Sequence, residues 1–272
     1  MSRISRPPSF WHEDTSPAAW LAGSLAPWGE NVGSIVPRGF AAYARVLHPL
    51  GSGDSPELTL TRWADIARSN GRVPHPGMQF HNIIRPRGSP SASPDHMPAP
   101  GALPVHERAL LVELLGRDTT SIGQCWFCLW EGWGTLDDRG VAARVELPHR
   151  RYLLYSGEVA AALAVPPQTA SGGGVAFSCW AGPGEPAPAP LSRERKEQLL
   201  AANWGFGPAL WWPEDRSWVV ATDIDLGWTY VGADERAIER LLAHPELEAW
   251  PASLSDPFSS DSDALNARLD AG

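Results

Sequence analysis

Two carboxylates separated by a single residue, Asp223 and Asp225, are the groups best placed to do chemistry in this chain. On a strand, residues two apart project from one face with about 6–7 Å between their Cα atoms. Carboxylates at that reach can hold a divalent cation through oxygen ligands, or divide acid and base roles between them. They lie in residues 211–232, WWPEDRSWVVATDIDLGWTYVG, where Trp211, Trp212, Trp218 and Trp228 stand beside Glu214, Asp215, Asp223 and Asp225. A strand end is also where polar residues simply meet water. Asp225 can do no more than cap the turn at 226–227 through its own downstream backbone.

A second cluster is WEGWG at 130–134, which sets Glu131 and Trp133 at the exit of an aromatic run. Gly132 and Gly134 there suit a bulge or the close approach of a ligand. With Trp211, Trp212 and Trp228, this segment could line a groove for a sugar ring, a base or a peptide. Tryptophan fills cores equally well, since burying one is worth at most roughly 4–6 kcal/mol. Most of the 14 tryptophans are therefore expected in the core, and a minority at a functional patch.

Cys125 and Cys128 spell CxxC, but their neighbours Trp126, Phe127, Leu129 and Trp130 read as a strand. Positions three apart on a strand face opposite ways, roughly 10 Å apart, beyond the reach of a disulfide or a shared zinc. A core role follows for both thiols. The histidines are scattered, and His75 and His81 match neither a helical nor a finger-type metal pair, so no metal site is expected of them. There is no GxSxG elbow, Walker A loop, post-strand GxGxxG or kinase set, and GGG at 172–174 has no GK[ST] sequel. No cofactor is expected.

The elements that must position these groups are legible from periodicity. Residues 40–48 alternate as a strand, although Phe40, Tyr43 and Leu47 also fit helical spacing. Thr61 is an N-cap candidate for a helix carrying Trp63, Ile66 and Ala67 and ended by Asn70 and Gly71. Residues 78–84 read as extended. Residues 106–115 form a helix stopped by Gly116. The run 125–131, apolar on both faces, predicts a central strand covered on both sides. Residues 152–155 predict another strand, followed by a helical EVAAALA. Residues 217–225 predict a strand hairpinned to 228–231, with Trp218, Val220 and Ile224 inward and Val219, Ala221, Asp223 and Asp225 on the other face. Asp234 caps a final helix whose Ile238, Leu241 and Leu242 face inward. Strands and helices without strict βαβ alternation predict an α+β fold, with a mainly antiparallel or mixed sheet and flanking helices.

The proline-rich residues 85–104 read as a linker or surface loop between an amino-terminal segment (1–84) and a main α+β domain (105–252), unless the whole is one domain. Residues 181–191 read as a second such loop, and 253–272 as a flexible tail. At 272 residues the chain can bury a large core without staples. Three cysteines, an odd number, exclude a disulfide framework and point to a reducing cytoplasm. No apolar run near the amino terminus resembles a secretory signal, and none is long enough to span a bilayer. A net charge of −9 disfavours nucleic acid and anionic membrane and suits a basic partner. The use of arginine for nearly every cation reads as the imprint of a GC-rich genome.

At CWFCLWEGWG, RRYLLYSG and LWWPEDRSWVVATDIDLGWTYVGAD the chain resembles a group of uncharacterised actinobacterial proteins. VGSIVPRGFAAYARVLHP and RWADIA extend the resemblance over most of its length. The resemblance brings no activity and no site residues. By class alone the chain is similar to bacterial immunity-type interaction domains. The reading is a cytoplasmic protein that binds a protein or peptide through Asp215, Asp223, Asp225, Glu131, Trp133, Trp211 and Trp212. Two alternatives stand beside it: a metal-dependent hydrolase or transferase using Asp223 and Asp225, and a carbohydrate binder using exposed tryptophans.

Overall fold

Strands form where β-branched and aromatic residues run together, and the computed structural model joins eight of them in one sheet. It describes residues 10–29, 31–50, 61–84, 98, 100–133, 136, 141–163 and 207–268. The strands are β1 (Ala42–Leu47), β2 (Cys125–Trp130), β3 (Val145–Glu146), β4 (Arg151–Gly157), β5 (Leu210–Pro213), β6 (Val219–Ala221), β7 (Trp228–Ala233) and β8 (Ala249–Ala252). The α-helices are α1 (Ala19–Ala22), α2 (Trp63–Ser69), α3 (Phe80–Ile83), α4 (Val105–Leu115), α5 (Glu235–Ala243) and α6 (Ala264–Arg268). Across the sheet the order is β3-β4-β2-β5-β6-β7-β1-β8, and every neighbouring pair is antiparallel. The fold is α+β with flanking helices.

Both faces of the sheet are covered, which is why its strands are apolar on both sides. On one face Phe127, Leu129, Trp211, Val220 and Val231 pack under Leu111, Leu114 and Leu115 of α4 and Ile238 and Leu241 of α5. On the other, Cys128, Tyr152, Trp212, Val219, Ala221 and Tyr230 meet Leu21, Ile35, Trp63, Met78 and Phe80 from the amino-terminal part of the chain. β2 sits between β4 and β5, the central position its sequence predicts. Cys125 and Cys128 therefore fall in opposite cores, both buried and unpaired. Burial pushes the Cys125 thiol up to about 12 and raises that of Cys128 as well, so neither is a ready nucleophile. β1, which precedes the proline-rich segment, lies between β7 and β8, which follow it.

Several local expectations are corrected. Thr61 is not the cap of α2: it bridges Leu50, and the N-cap position is Arg62. The open N–H groups of Trp63 and Ala64 instead donate to the Glu248 carboxylate at 2.6 and 2.7 Å, a cap supplied from far along the chain. Residues 80–83 are a helical turn rather than extended, because that spacing buries Phe80 and Ile83 together against α2. EVAAALA forms a 3₁₀ helix, Val159–Leu163, in its described part. Asp234 does cap α5, its side chain accepting from the Ala237 N–H at 2.7 Å.

Of the residues expected as a flexible tail, the described ones, 253–268, make contacts with the amino-terminal part of the chain. The Gly33 N–H donates to Leu254 O and the Val32 N–H to Asp256 O, while Asp263 and Asn266 are buried. Part of the proline-rich segment is also packed, since the Gly101 N–H donates to Leu226 O and Ala102 and Leu103 are buried. The loop expected at 181–191 and GGG at 172–174 lie outside the described residues.

Candidate functional site

β6 ends at Ala221, earlier than its sequence predicts, and the reason is Asp223. Its Oδ1 accepts the Asp225 N–H at 3.0 Å and its carbonyl accepts the Leu226 N–H at 3.1 Å, so the backbone turns rather than extends. The turn-capping role thus belongs to Asp223 and not to Asp225. Gly227 lets this turn meet the proline-rich segment, because a Cβ there would fall 2.8 Å from Pro98 Cγ.

The two aspartates do come together, held by a guanidinium. Arg150, just before β4, donates Nε to Asp223 Oδ2 and Nη2 to Asp223 Oδ1, each at 3.2 Å. The same Nη2 reaches Asp225 Oδ2 at 2.6 Å. His149 Nε2 stands 3.6 Å from Asp223 Oδ2. Asp223 is 3 % exposed, whereas the Asp225 side chain is 71 % exposed. Burial pushes the Asp223 carboxyl up, but His149, Arg150 and the Asp225 N–H outweigh it and hold the group below the usual carboxylate range.

Aromatic rings surround this ion pair. Trp28 stacks on His149 with centroids 3.7 Å apart and planes at 18°, and it is 39 % exposed. The Arg150 guanidinium lies 5.8 Å from the Trp28 ring centroid and 5.9 Å from that of Trp130. Trp130 meets Trp133 edge-on at 5.5 Å. The close approach for which WEGWG is built goes to the chain itself: a Cβ on Gly132 would fall 2.1 Å from Trp130 Cζ2. Glu131 is clamped by Arg144 Nε at 2.8 Å and Arg151 Nε at 2.6 Å.

Asp223, Asp225, Glu131 and Trp133 thus lie at one end of the sheet, where β2 exits, β4 begins and β6 turns. The other expected site residues are elsewhere. Trp211 and Trp212 are fully buried on opposite faces of β5 and line no groove, because both faces of the sheet are covered. Asp215 sits at the tip between β5 and β6, at the opposite end. It accepts from Thr119 Oγ1, the Thr120 N–H and Oγ1, and the Ser217 N–H. Burial pushes this carboxyl up, but these bonds together outweigh it and hold the group at about 2. Trp28 and His149 carried no signal at sequence level, since neither lies in a periodic run.

Metal chemistry at Asp223 and Asp225 would require displacing Arg150, which engages both carboxylates. No group of three or more His, Cys, Asp or Glu suited to a metal ion occurs among the described residues. The cavity beneath, lined by His149, Tyr152, Thr222 and Asp223 among others, measures about 10 Å³, room for one water at most. Arg150→Ala is expected to lower stability at neutral pH by about 2–4 kcal/mol by leaving Asp223 buried and underpaired. In the wild type this contribution is present above the unfolded carboxyl pKa and lost as pH falls through the lower folded value. The gap between the two proteins should therefore close in acid. Urea midpoints at neutral and acidic pH test this, and equal midpoints at neutral pH would show that the pair carries no stability.

The fold and this site define an α+β protein with an aromatic, charge-paired patch at one end of an antiparallel sheet. No family model, curated protein or solved structure matches the chain. No helix among the described residues is long and apolar enough to cross a membrane.

Proposed function

We propose that this chain is a cytoplasmic binding protein whose partner is another protein or a peptide, recognised at the Trp28, Arg150 and Asp225 patch. The observation that carries the reading is Trp28: an indole 39 % exposed and stacked on His149, beside an exposed carboxylate. Tryptophan and arginine fixed in advance by their own neighbours are the residues on which interface energy concentrates. Because Arg144, Arg150 and Arg151 neutralise the local carboxylates, the patch offers aromatic faces and directed polar groups rather than bulk negative charge. Sugar binding is the second reading, favoured by the open, flat face of Trp28.

Affinity capture from native lysate at low salt, with wild type beside a folded Trp28→Ala, Asp225→Arg double variant, tests the proposal. A stoichiometric protein held by the wild type and bound at least about tenfold more weakly by the variant is expected. Equal retention by both, or no partner at all, would sink it. Saturable quenching of Trp28 fluorescence by sugars, without a protein partner, would transfer the patch to carbohydrate.

A further inference from the structure

At the opposite end of the sheet, where β1 begins and β7 ends, an open groove of about 590 Å³ runs between α5 and the β8 edge. Its floor is apolar: Ala42, Tyr43, Ile238, Leu242, Pro251 and Leu254. Ala42 and Leu242 pack on one core and Leu254 on the other, so the groove lies where the two apolar layers reach the edge of the sheet. Its rim carries Glu235 and Glu239. Both are exposed and neither has an ion-pair partner among the described residues.

Residues four apart on a helix are neighbours, so this like-charged pair is mildly unfavourable on its own. The helix dipole compensates Glu235 in the first turn but fades by Glu239. Arg240, the cation in the last turn of α5, is committed to Asp118. A cation brought from outside would relieve the repulsion.

The edge itself narrows what can dock. The Leu47 N–H donates to Glu248 O, which fixes residues 248, 250 and 252 as those bonding β1 and turns 249, 251 and 253 outward. Pro251 has no N–H to offer, and the Ser253 N–H is taken by Asp256 Oδ2 at 2.8 Å. Strand addition is thereby blunted, leaving side-chain docking as the available mode. A second copy would bring its own Glu235 and Glu239 against the same pair in a two-fold interface.

We infer that this groove docks a basic amphipathic helical segment of a partner protein, its apolar face on the floor and its Lys or Arg side chains opposite Glu235 and Glu239. The inference concerns a different surface from the Trp28 patch and does not rest on it.

Calorimetry with two synthetic helical peptides tests it, one of leucine and lysine and one of leucine and glutamate in the same pattern. The Leu–Lys peptide is expected to bind wild type in a salt-sensitive manner and the Leu–Glu peptide not to bind. E235K/E239K should weaken the Leu–Lys peptide at least about tenfold, and E239Q by less. The same charge change placed elsewhere, D65K/E113K, should leave affinity intact, as should W28A/D225R. Equal binding of both peptides, no binding, or equal losses in D65K/E113K or W28A/D225R would overturn the inference. So would sedimentation showing a dimer that Leu242→Asp, on the groove floor, disrupts, which would give the groove to a second copy.

Discussion

Trp212→Ala is expected to cost about 3–5 kcal/mol of folding stability, the usual range for emptying a fully buried tryptophan site. Trp28→Ala should cost under about 1 kcal/mol, as a substitution at the surface. Trp212 is 1 % exposed, lies opposite Trp126 across the β2–β5 pair and meets Trp20 edge-on at 5.8 Å. Its removal would leave a cavity between a sheet and a covering layer that cannot collapse without disturbing β2 and β6 on either side. Trp28 has solvent on one side and His149 on the other, so water can replace it. Urea unfolding of the two variants beside wild type gives the comparison. If Trp28→Ala were as damaging as Trp212→Ala, Trp28 would be a core residue and its patch would lose its basis as a binding surface.

Asp263→Ala is expected to cost on the order of 3 kcal/mol at neutral pH, because it removes a buried charge and orphans its donors together. Asp263 is 0 % exposed and accepts from His75 Nε2 at 2.8 Å, the Gln79 N–H at 3.0 Å, and the Asn266 N–H and side-chain amide at 3.0 and 3.1 Å. These bonds tie α6 and the carboxyl-terminal segment to residues 75–79. His75 Nδ1 accepts the Gly77 N–H at 3.2 Å, so both ring nitrogens are engaged in holding this junction. Burial pushes the Asp263 carboxyl up, but the Asn266, Gln79 and His75 contacts outweigh it and hold it below the usual range. A carboxyl with a lowered folded pKa stabilises above its unfolded value and loses that contribution as pH falls through the folded one. Wild type should therefore lose this increment in acid, while Asp263→Ala, which lacks it, should show a correspondingly smaller pH dependence. Proteolysis of the variant should also begin within 253–268. A wild-type urea midpoint and digestion pattern in Asp263→Ala would show that the junction holds nothing.

Much of the fold was legible because it depends on neighbours in sequence. The two-sided apolar run of β2 announces a central strand, and the same alternation places Cys125 and Cys128 in opposite cores. Asp234 caps α5 through a residue three positions on, and the β6–β7 hairpin follows from its own turn chemistry. The candidate site was legible only in part. Asp223, Asp225, Glu131 and Trp133 were visible as polar or flexible points at strand exits. Trp211 and Trp212 were misplaced because a tryptophan looks the same in sequence whether a covering layer lies over it or not. Trp28 and His149 were invisible because stacking between distant rings leaves no period.

By itself the amino-acid sequence determined the central strand β2, the strands β4 and β7, the helices α2, α4 and α5 and the fold class, since periodicity and turn chemistry act over a few residues. Only the tertiary structure decided that Arg150 joins Asp223 to Asp225, that Glu248 caps α2, and that Asp263 ties the carboxyl-terminal segment to residues 75–79. It also decided that Trp28 is the half-exposed ring beside the two aspartates. Each of these is a meeting of residues far apart in the chain, set by how the strands order across the sheet and which segments cover its faces. No local signal encodes that choice.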